Sequence, residues 1–406
     1  MKFRLSSRMV PRSLAGTIMV DEVGIPRYWL HAWLVLNGSG WKESTRGKVV
    51  SAVERLHEAV RVRLGYDCLD RLINDLDIDA LVSILQGLFI QLRNGGLDSN
   101  IDNQQTWRYA SDFLVQILRH ICLIDGIPKS KELLSAIGRM DEECRRLKTR
   151  PDEATTQLRA LPSEVIEEFY EIIRVDSRRN PFRTVPQKYR NFLMLILLLH
   201  LGLRRGEICL LAVDAIFRAI DPRTGAERYW MNVVEPLEED NTDTREDRPF
   251  LKTAYSTRQI PIPREIAVLV ATYVDNYRGN PPHTFLFNSA WNNPIAKNTV
   301  NAVFSTITKH LSEASIKLLD KRLAVDSVTP HQCRHTAAVV RLKDMLDAGV
   351  GMEDAVSQLK VFFGWSRKSD MPLHYARAYF ENRLQEVWDR RWDTHVEHLR
   401  ELETGE

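Results

Sequence analysis

Cysteine is scarce in this sequence, and the few cysteines present are not grouped. They lie far apart, are odd in number and form no CxxC pair: Cys68, Cys122, Cys144, Cys209 and Cys333. This pattern argues against a disulfide framework and against a structural zinc site, because both need closely placed cysteines. We therefore expect a protein of a reducing compartment, the cytoplasm.

Long hydrophobic runs are also missing. The longest apolar stretch, residues 192–199, is too short to span a bilayer, and the basic residues 1–13 are not followed by an uninterrupted apolar segment. We expect neither a membrane segment nor a signal peptide. The sequence also lacks the GxxxxGK[ST] pattern of a nucleotide-binding phosphate loop.

The chain has almost no excess of one charge sign, because 56 basic and 54 acidic residues leave a formal net charge of +2. A nearly neutral chain neither requires nor excludes nucleic acid as a partner, since basic residues can still gather on one face. At 406 residues the chain is long enough for two or three domains.

The sequence pattern changes along the chain and predicts its domain organisation. Residues 1–45 form a basic segment that contains a β-leaning aromatic run at 28–36. The segment is either an arm that touches phosphates or a plain strand pair. Residues 46–150 have the apolar periodicity of a small helical domain. A charged, proline-containing stretch predicts a linker at 151–160.

A nearly wholly apolar helix is predicted at 186–203, and the sequence GLRRGE occupies residues 202–207 at its end. Arg204 is thereby attached to a buried element, and Glu207, three residues later, is placed to pin its guanidinium group. A surface Arg–Glu pair at a helix junction is the plainer alternative. We expect the helix that begins here to continue to residue 216.

Strand-like runs follow at 228–234, 250–253 and 258–263, with a further short one at 284–287. A turn separates the second run from the third, so we expect these two to form a hairpin. Lys252 then lies at the mouth of the hairpin, in an exposed and movable position. Most lysines in such places only keep an edge strand soluble.

The stretch TPHQCRHT at 329–336 gathers chemically useful side chains at the start of a helix. Thr329 is a good N-cap, and Pro330 fits the first helical turn. His331, Arg334 and His335 then share one helical face near the positive end of the helix dipole. This combination suits a phosphate, because Arg can donate two parallel hydrogen bonds and His can transfer a proton.

Two alternatives stay open for this stretch. His331, Cys333 and His335 could hold a metal, although the position of Cys333, two residues from each histidine, points it away from them. The stretch could also be an ordinary capped surface helix.

A further helix is predicted at 352–363, with Gly364 ending it. Trp365 follows directly, and Tyr375 comes ten residues later. The pattern at 381–406 predicts a charged C-terminal helix. The apolar stripe of this helical pattern needs a partner surface, on this subunit or on a neighbour: Phe380, Leu384, Val387 and Trp388.

Taken in order, these motifs resemble the catalytic domain of the tyrosine recombinases, the phage integrase family, over residues 161–380. GLRRGE is similar to the family's first arginine box, HQCRH to its HxxRH box, and GWS at 364–366 to its third box. The stretch around Lys252 resembles the hairpin with the family's catalytic lysine. Tyr375 stands at the nucleophile's place, although the gap after Trp365 is about a residue longer than usual, which leaves Tyr379 as the alternative.

The resemblance implies a mainly α fold with a small antiparallel β-sheet, in which a helical core-binding domain precedes an α+β catalytic domain. It implies a site-specific DNA recombinase or integrase of a mobile element that cuts and rejoins strands through a 3′-phosphotyrosine. The residues that it designates as catalytic are Arg204, Lys252, His331, Arg334, Trp365 and Tyr375, with Glu207 and His335 in support.

The resemblance also implies the partners. These are double-stranded DNA and further copies of the chain, which would form a tetramer on paired sites with the C-terminal helix docked on a neighbour. No cofactor and no metal are implied, because the phosphotyrosine bond conserves the energy of the cut strand.

Two other functions are compatible with the same residues. A type IB topoisomerase uses similar chemistry without strand exchange, and a DNA-binding relic of a recombinase would have lost the reaction. The helical first domain and the HxxRH box favour the recombinase. All the catalytic residue types are present, which argues against the relic.

Overall fold

The computed structural model describes residues 2–5, 16–38, 40–94, 102–123, 130–149, 160–235, 243, 245, 248–251 and 253–375. The chain divides into two compact units, Met1–Ala154 and Thr155–Glu406. The division falls within the predicted linker, of which residues 151–159 lie outside the described part of the chain. No helix in the described ranges is both long and apolar enough to cross a bilayer.

The first unit combines a strand pair with packed helices. Strands β1 (Lys2–Leu5) and β2 (Gly16–Met19) are antiparallel. The helices of its described residues are α1 (Tyr28–Asn37), α2 (Glu43–Leu64), α3 (Leu69–Asn74), α4 (Ile78–Arg93), α5 (Asn103–Cys122) and α6 (Ser130–Arg146). Their apolar faces share one core, in which Trp33, Val53 and Trp107 are almost fully buried.

The aromatic run at 28–36 is helical, so the prediction of a β-leaning segment there is wrong. Leu30, Trp33 and Leu34 recur at helical spacing and are buried. Trp33 packs edge-on against Phe113 of α5, with the ring centroids 5.5 Å apart. Aromatic residues favour strands on average, but here the burial of a helical stripe against α5 decides the structure.

The second unit is mainly helical and has a small sheet. The helices of its described residues are α7 (Ser163–Ile173), α8 (Val185–His200), α9 (Arg205–Leu210), α10 (Arg264–Asn276), α11 (Lys297–Thr308), α12 (Glu313–Leu323), α13 (Pro330–Asp347) and α14 (Met352–Phe363). Strands β3 (Ile216–Ile220), β4 (Glu227–Val233) and β5 (Arg258–Ile262) form an antiparallel sheet in the order β3-β4-β5. The predicted fold class, mainly α with a small antiparallel sheet, is confirmed.

Helix α8 forms the centre of this unit. Every residue from 190 to 200 is buried, as the apolar run at 192–199 predicts. Thr184 accepts a hydrogen bond from the backbone N–H of Gln187 at 3.4 Å and so caps the start of the helix. Because α8 packs against α10 and α13, the chain that leaves its C-terminal end starts from a fixed point.

Helix α9 is shorter than predicted and ends at Leu210 instead of residue 216. Leu211 is extended, with φ −55° and ψ 129°, and its carbonyl accepts the N–H of Leu286 at 2.6 Å. An isolated bridge joins Ala212 to Phe285. These backbone bonds compete successfully with the helical ones, and the strand predicted at 284–287 is reduced to this pairing.

The hairpin predicted between 250–253 and 258–263 is not found among the described residues. Strand β5 pairs with β4 instead, with Arg258 opposite Val233. The described residues of 250–253 lie outside the strands, and a 3₁₀ turn, Ala254–Ser256, precedes β5. Lys252 lies outside the described residues.

Helix α13 begins as predicted. Gln332 Oε1 accepts the N–H of Thr329 at 2.7 Å, while Thr329 Oγ1 accepts the N–H of Gln332 at 3.4 Å, and Pro330 takes the first helical position. Helix α14 ends at Gly364, whose φ of 60° is left-handed, also as predicted. Tyr379 and the predicted C-terminal helix at 381–406 lie outside the described residues.

Candidate active site

One cleft of about 1000 Å³ in the second unit brings together side chains from distant parts of the sequence. The loop before α9 contributes Arg204, and the first turn of α13 contributes His331 and Arg334. Trp365, which follows α14, and Tyr375 complete this set. The structure therefore places these five predicted site residues around the same space.

Arg334 is held rigidly by backbone carbonyl groups. Its side chain is 4% exposed, and Nη1 donates to the carbonyl of Gly202 at 2.6 Å. Nη2 donates to the carbonyl of Phe363. The guanidinium carbon lies 5.0 Å from the centroid of the Phe363 ring and 5.4 Å from that of Trp365. These contacts fix the plane of the guanidinium group before any ligand binds.

Arg204 is the more exposed of the two arginines, with 21% of its side chain accessible. Its Nη1 donates to Glu207 Oε1 at 2.6 Å and to Ser256 Oγ at 3.1 Å. Its Nη2 donates to the carbonyl of Gly364 at 3.1 Å. The predicted pairing of Arg204 with Glu207 is thus present in the structure, and it joins a residue of the cleft to a buried carboxylate and does not lie on an open surface.

Glu207 lies behind the arginines, with 2% of its side chain exposed. One carboxylate oxygen, Oε2, accepts the backbone N–H of Arg204 at 2.9 Å. Burial alone would raise the pKa of Glu207, but the nearby charges of Arg258, Arg334 and Arg204 and the hydrogen bonds from Arg258 lower it to about 2. Glu207 is therefore a carboxylate throughout the physiological pH range.

Positive charge is concentrated at the back of the cleft. Burial, and then the neighbouring charge of Arg204, lowers the pKa of Arg334 to about 9. An anion bound in the cleft, which both arginines line, would offset the repulsion between the two guanidinium groups. The electrostatics of the site thus favour a phosphate.

Arg258 is a residue of this network that the sequence analysis did not single out. Its side chain is 5% exposed, and it makes two hydrogen bonds to the Glu207 carboxylate, at 2.9 and 3.1 Å. The signal was available in the alternation of β5, where Arg258, Ile260 and Ile262 are buried and the residues between them are exposed. An arginine on the buried face of an alternating strand needs an anionic partner.

Tyr375 is 3% exposed, and its hydroxyl is hydrogen-bonded with Nδ1 of His335. Its ring stacks on Trp365, with centroids 5.6 Å apart and an interplanar angle of 19°. The ring of His331 lies 4.3 Å from that of His335. His331 thus contacts His335, which is itself hydrogen-bonded with the phenol.

Thr253, the residue after Lys252 in the sequence, is described and contacts the network around the arginines. Thr253 lines the cleft, and its backbone N–H donates to Ser256 Oγ at 3.3 Å. Since Ser256 Oγ also accepts from Arg204, the segment that directly follows Lys252 is attached to the arginine network.

The metal alternative for the HxxRH box does not match the geometry. Cys333 is fully buried in the hydrophobic core of the second unit, and burial raises the pKa of its thiol. His331, by contrast, lines the cleft. Within the described ranges, no three His, Cys, Asp or Glu side chains are grouped so that they could hold a metal ion.

A family model described as the phage integrase family matches residues 159–382. The chain belongs to the phage integrase family. The match covers more than half of the chain and includes the whole cleft with Arg204, Arg334 and Tyr375. This member of the family is therefore a tyrosine-type site-specific recombinase.

Solved structures of recombinases are similar to this family member over most of its length. The crystal structure of XerA recombinase shares 13% identity over 90% of this chain and 97% of that chain, with a TM-score of 0.35. The XerH site-specific recombinase, bound to a palindromic difH substrate in a post-cleavage complex, shares 12% identity over 88% of this chain and 92% of that chain, with a TM-score of 0.43. No curated protein matches the chain.

Proposed function

We propose that this recombinase cuts and rejoins double-stranded DNA through a 3′-phosphotyrosine formed by Tyr375. The observation that carries the proposal is the shared cleft: Tyr375 lines it together with Arg204 and Arg334. Both guanidinium groups are held in place by backbone carbonyls. Preorganised cations beside a nucleophile suit attack on a phosphodiester.

In the proposed step, the phenolic oxygen of Tyr375 bonds to phosphorus, and the bond from phosphorus to the 5′ oxygen breaks. The phenol loses its proton to a base, and the departing 5′ oxygen gains one from an acid. Arg204 and Arg334 stabilise the negative charge that builds up on the phosphate oxygens. The phosphotyrosine keeps the energy of the broken bond, so attack by a 5′ hydroxyl reseals a strand without ATP.

We assign the proton transfers to His331 and Lys252. His331 lines the cleft and contacts His335, whose Nδ1 is hydrogen-bonded with the Tyr375 hydroxyl. His331 is thereby placed to help remove the phenol proton by way of His335. Lys252 is the proposed acid, since a lysine on the connection between β4 and β5 can reach the phosphate when DNA closes the site. His335 and Trp365 orient Tyr375.

The proposal can be tested with a nicked suicide substrate whose sequence is taken from the DNA that flanks the gene. With a chelator present, the wild-type protein should form a covalent adduct with DNA, and Tyr375→Phe should form none while it still binds DNA. Tyr273→Phe is the matched control, because the buried hydroxyl of Tyr273 donates to Asn288 and lies outside the cleft. Adduct formation by Tyr375→Phe at the wild-type rate would overturn the assignment.

We also propose that the protein is a monomer or weak dimer when free and a tetramer on two paired DNA sites. The support is the sequence beyond Tyr375, in which an apolar stripe runs along a charged helical pattern. Sedimentation of the free and DNA-bound protein measures both states. Truncation before Phe380 should reduce strand exchange more than DNA binding, and a truncated protein that still assembles and recombines normally would show that the segment packs on its own subunit.

A further inference from the structure

Arg258 uses each of its three nitrogens to bind another part of the second unit. Nη1 and Nη2 donate to the two carboxylate oxygens of Glu207, at 3.1 and 2.9 Å. Nη1 also donates to the carbonyl of Ser256 at 2.8 Å, and Nε donates to the carbonyl of Phe362 at 2.7 Å. The planar guanidinium thereby joins α9, the end of the β4–β5 connection and the end of α14.

Each of these three segments also holds one of the two cleft arginines. Glu207 and Ser256 both accept hydrogen bonds from Arg204. Phe362 directly precedes Phe363, whose carbonyl accepts from Arg334, and the next carbonyl, that of Gly364, accepts from Arg204. A shift of Arg258 would therefore reach Arg204 through one intermediate residue and Arg334 through two, Phe362 and Phe363.

The packing around Arg258 leaves little freedom for such a shift. A Cβ atom on Gly364 would lie 2.8 Å from the carbonyl oxygen of Tyr255 and 3.1 Å from Nη1 of Arg258. The backbone of Gly364 thus lies directly against the turn and the guanidinium group. Tight contact of this kind transmits a displacement and does not absorb it.

We propose that Arg258 is a positioning residue for strand cleavage, holding Glu207 and the end of α14 where they orient Arg204 and Arg334. Arg258 does not line the cleft that contains Tyr375, so it acts through these neighbours and not on the DNA. The inference rests on the proposed function, in which Arg204 and Arg334 bind the scissile phosphate.

The charges around Glu207 give this role a measurable signature. The charged groups that face the carboxylate are Arg258 from β5, Arg334 from α13 and Arg204 from the loop before α9, and α14 presents backbone carbonyls to these arginines. Arg258 has the largest lowering effect on the pKa of Glu207. Without it, burial should raise that pKa, and a protonated Glu207 would hold Arg204 less well.

Cleavage of the nicked substrate should be compared for the wild type, Arg258→Met, Arg258→Lys and Arg278→Met between pH 5 and 8, with DNA saturating. Arg278 is the matched control: it is also a buried arginine, bound to carbonyls including those of His283 and Phe285, but it does not line the cleft. Arg258→Met should cleave about 10²-fold more slowly, as expected for displaced reacting groups.

The pH profile and the conservative variant separate positioning from mere folding. Arg258→Met should lose further rate as the pH falls, whereas the wild type and Arg278→Met should not show this added acid limb. Arg258→Lys keeps the positive charge but lacks the planar guanidinium group with its two parallel donors. Compared with Arg258→Met, it should therefore lose the acid limb and recover only part of the rate. Wild-type rates and profiles for Arg258→Met would overturn the inference.

A second measurement tests the contact between Arg258 and Glu207, on which the inference depends, even if the chain forms no adduct with DNA. Carboxyl ¹³C spectra of glutamate-labelled full-length protein should show, in Arg258→Met, a titration at higher pH than in the wild type that disappears when Glu207→Gln is added. Its absence from folded Arg258→Met would overturn the inference. If instead the wild type makes no adduct while the titration appears, the proposed function fails and the contact of Arg258 with Glu207 stands.

Discussion

At the scale of single residues, the two cleft arginines differ in how they are held. Arg334 donates to the carbonyls of Gly202 and Phe363 from a nearly fully buried position. Arg204 donates to Glu207 and Ser256 and keeps about a fifth of its side chain accessible. The contacts of Arg334 fix the direction of its guanidinium group, whereas Arg204 keeps accessible N–H donors for an incoming phosphate.

Replacing Arg334 by lysine should therefore be costly although the charge is kept. Lysine cannot reach two carbonyls and a phosphate at once, because its ammonium group is a point charge without the planar fork. The cleavage rate should fall by roughly 10²–10³, the usual loss when one preorganised donor is removed. Single-turnover cleavage of the suicide substrate measures this, and cleavage by Arg334→Lys at the wild-type rate would contradict the account.

The role of Lys252 is testable through the leaving group. A substrate with sulfur in place of the bridging 5′ oxygen needs little protonation as it departs. Lys252→Ala should therefore cleave ordinary DNA slowly and the sulfur substrate at close to the wild-type rate. If the sulfur substrate does not rescue the variant, Lys252 binds the phosphate and does not donate a proton.

Residue-level prediction from the sequence succeeded where spacing alone fixes the geometry. Glu207 is three residues from Arg204 in a new helix, so their pairing follows from helical geometry. The contacts of Arg334 and Arg258 could not be predicted in this way. One partner of each, Gly202 for Arg334 and Phe362 for Arg258, lies more than a hundred residues away in the sequence, and only the packed fold brings them together.

At the scale of elements, Glu207 links α9 to β5 and faces Arg334 of α13. Its pKa in the folded protein is lowered from 4.5 to about 2. The stabilisation is therefore fully present above the ordinary pKa and is lost as the pH falls from 4.5 towards 2. At about 1.4 kcal/mol per pKa unit, the full effect is on the order of 3 kcal/mol.

Urea unfolding between pH 2.5 and 6 should show this contribution. The free energy of unfolding of the wild type should fall more steeply with acid than that of Glu207→Gln, which has no carboxylate to protonate. Glu313→Gln is the control, because the Glu313 side chain is exposed on α12 and should leave the slope unchanged. Equal slopes for the wild type and Glu207→Gln would mean that the carboxylate is not held by the arginines.

Elements with strong local signals were predicted well, and elements decided by packing were not. The cap at Thr329 and the glycine stop at Gly364 fix the start of α13 and the end of α14. The residues of α1 have strand-like composition but bury a helical stripe, and α9 stops early because Leu211 pairs with Leu286. Pairings between distant backbone segments have no signature in a local window of sequence.

At the scale of the whole molecule, the cleft belongs entirely to the second unit, and the family match covers the same part of the chain. The order of the boxes was sufficient to predict the family and the fold class, because catalytic residues recur in a fixed sequence order. In the first unit, helical periodicity predicted the helices of 46–150 but not the helix Tyr28–Asn37, and it indicated no role for any single residue.

The central claim is that Tyr375 is the residue that becomes joined to DNA. The most direct test is to trap the adduct on the suicide substrate, digest it with nuclease and protease, and locate the remaining nucleotide by mass spectrometry. A nucleotide 3′-phosphate should be found on the peptide that contains Tyr375, at the Tyr375 oxygen. A remnant on Tyr379 or on any other residue would contradict the claim.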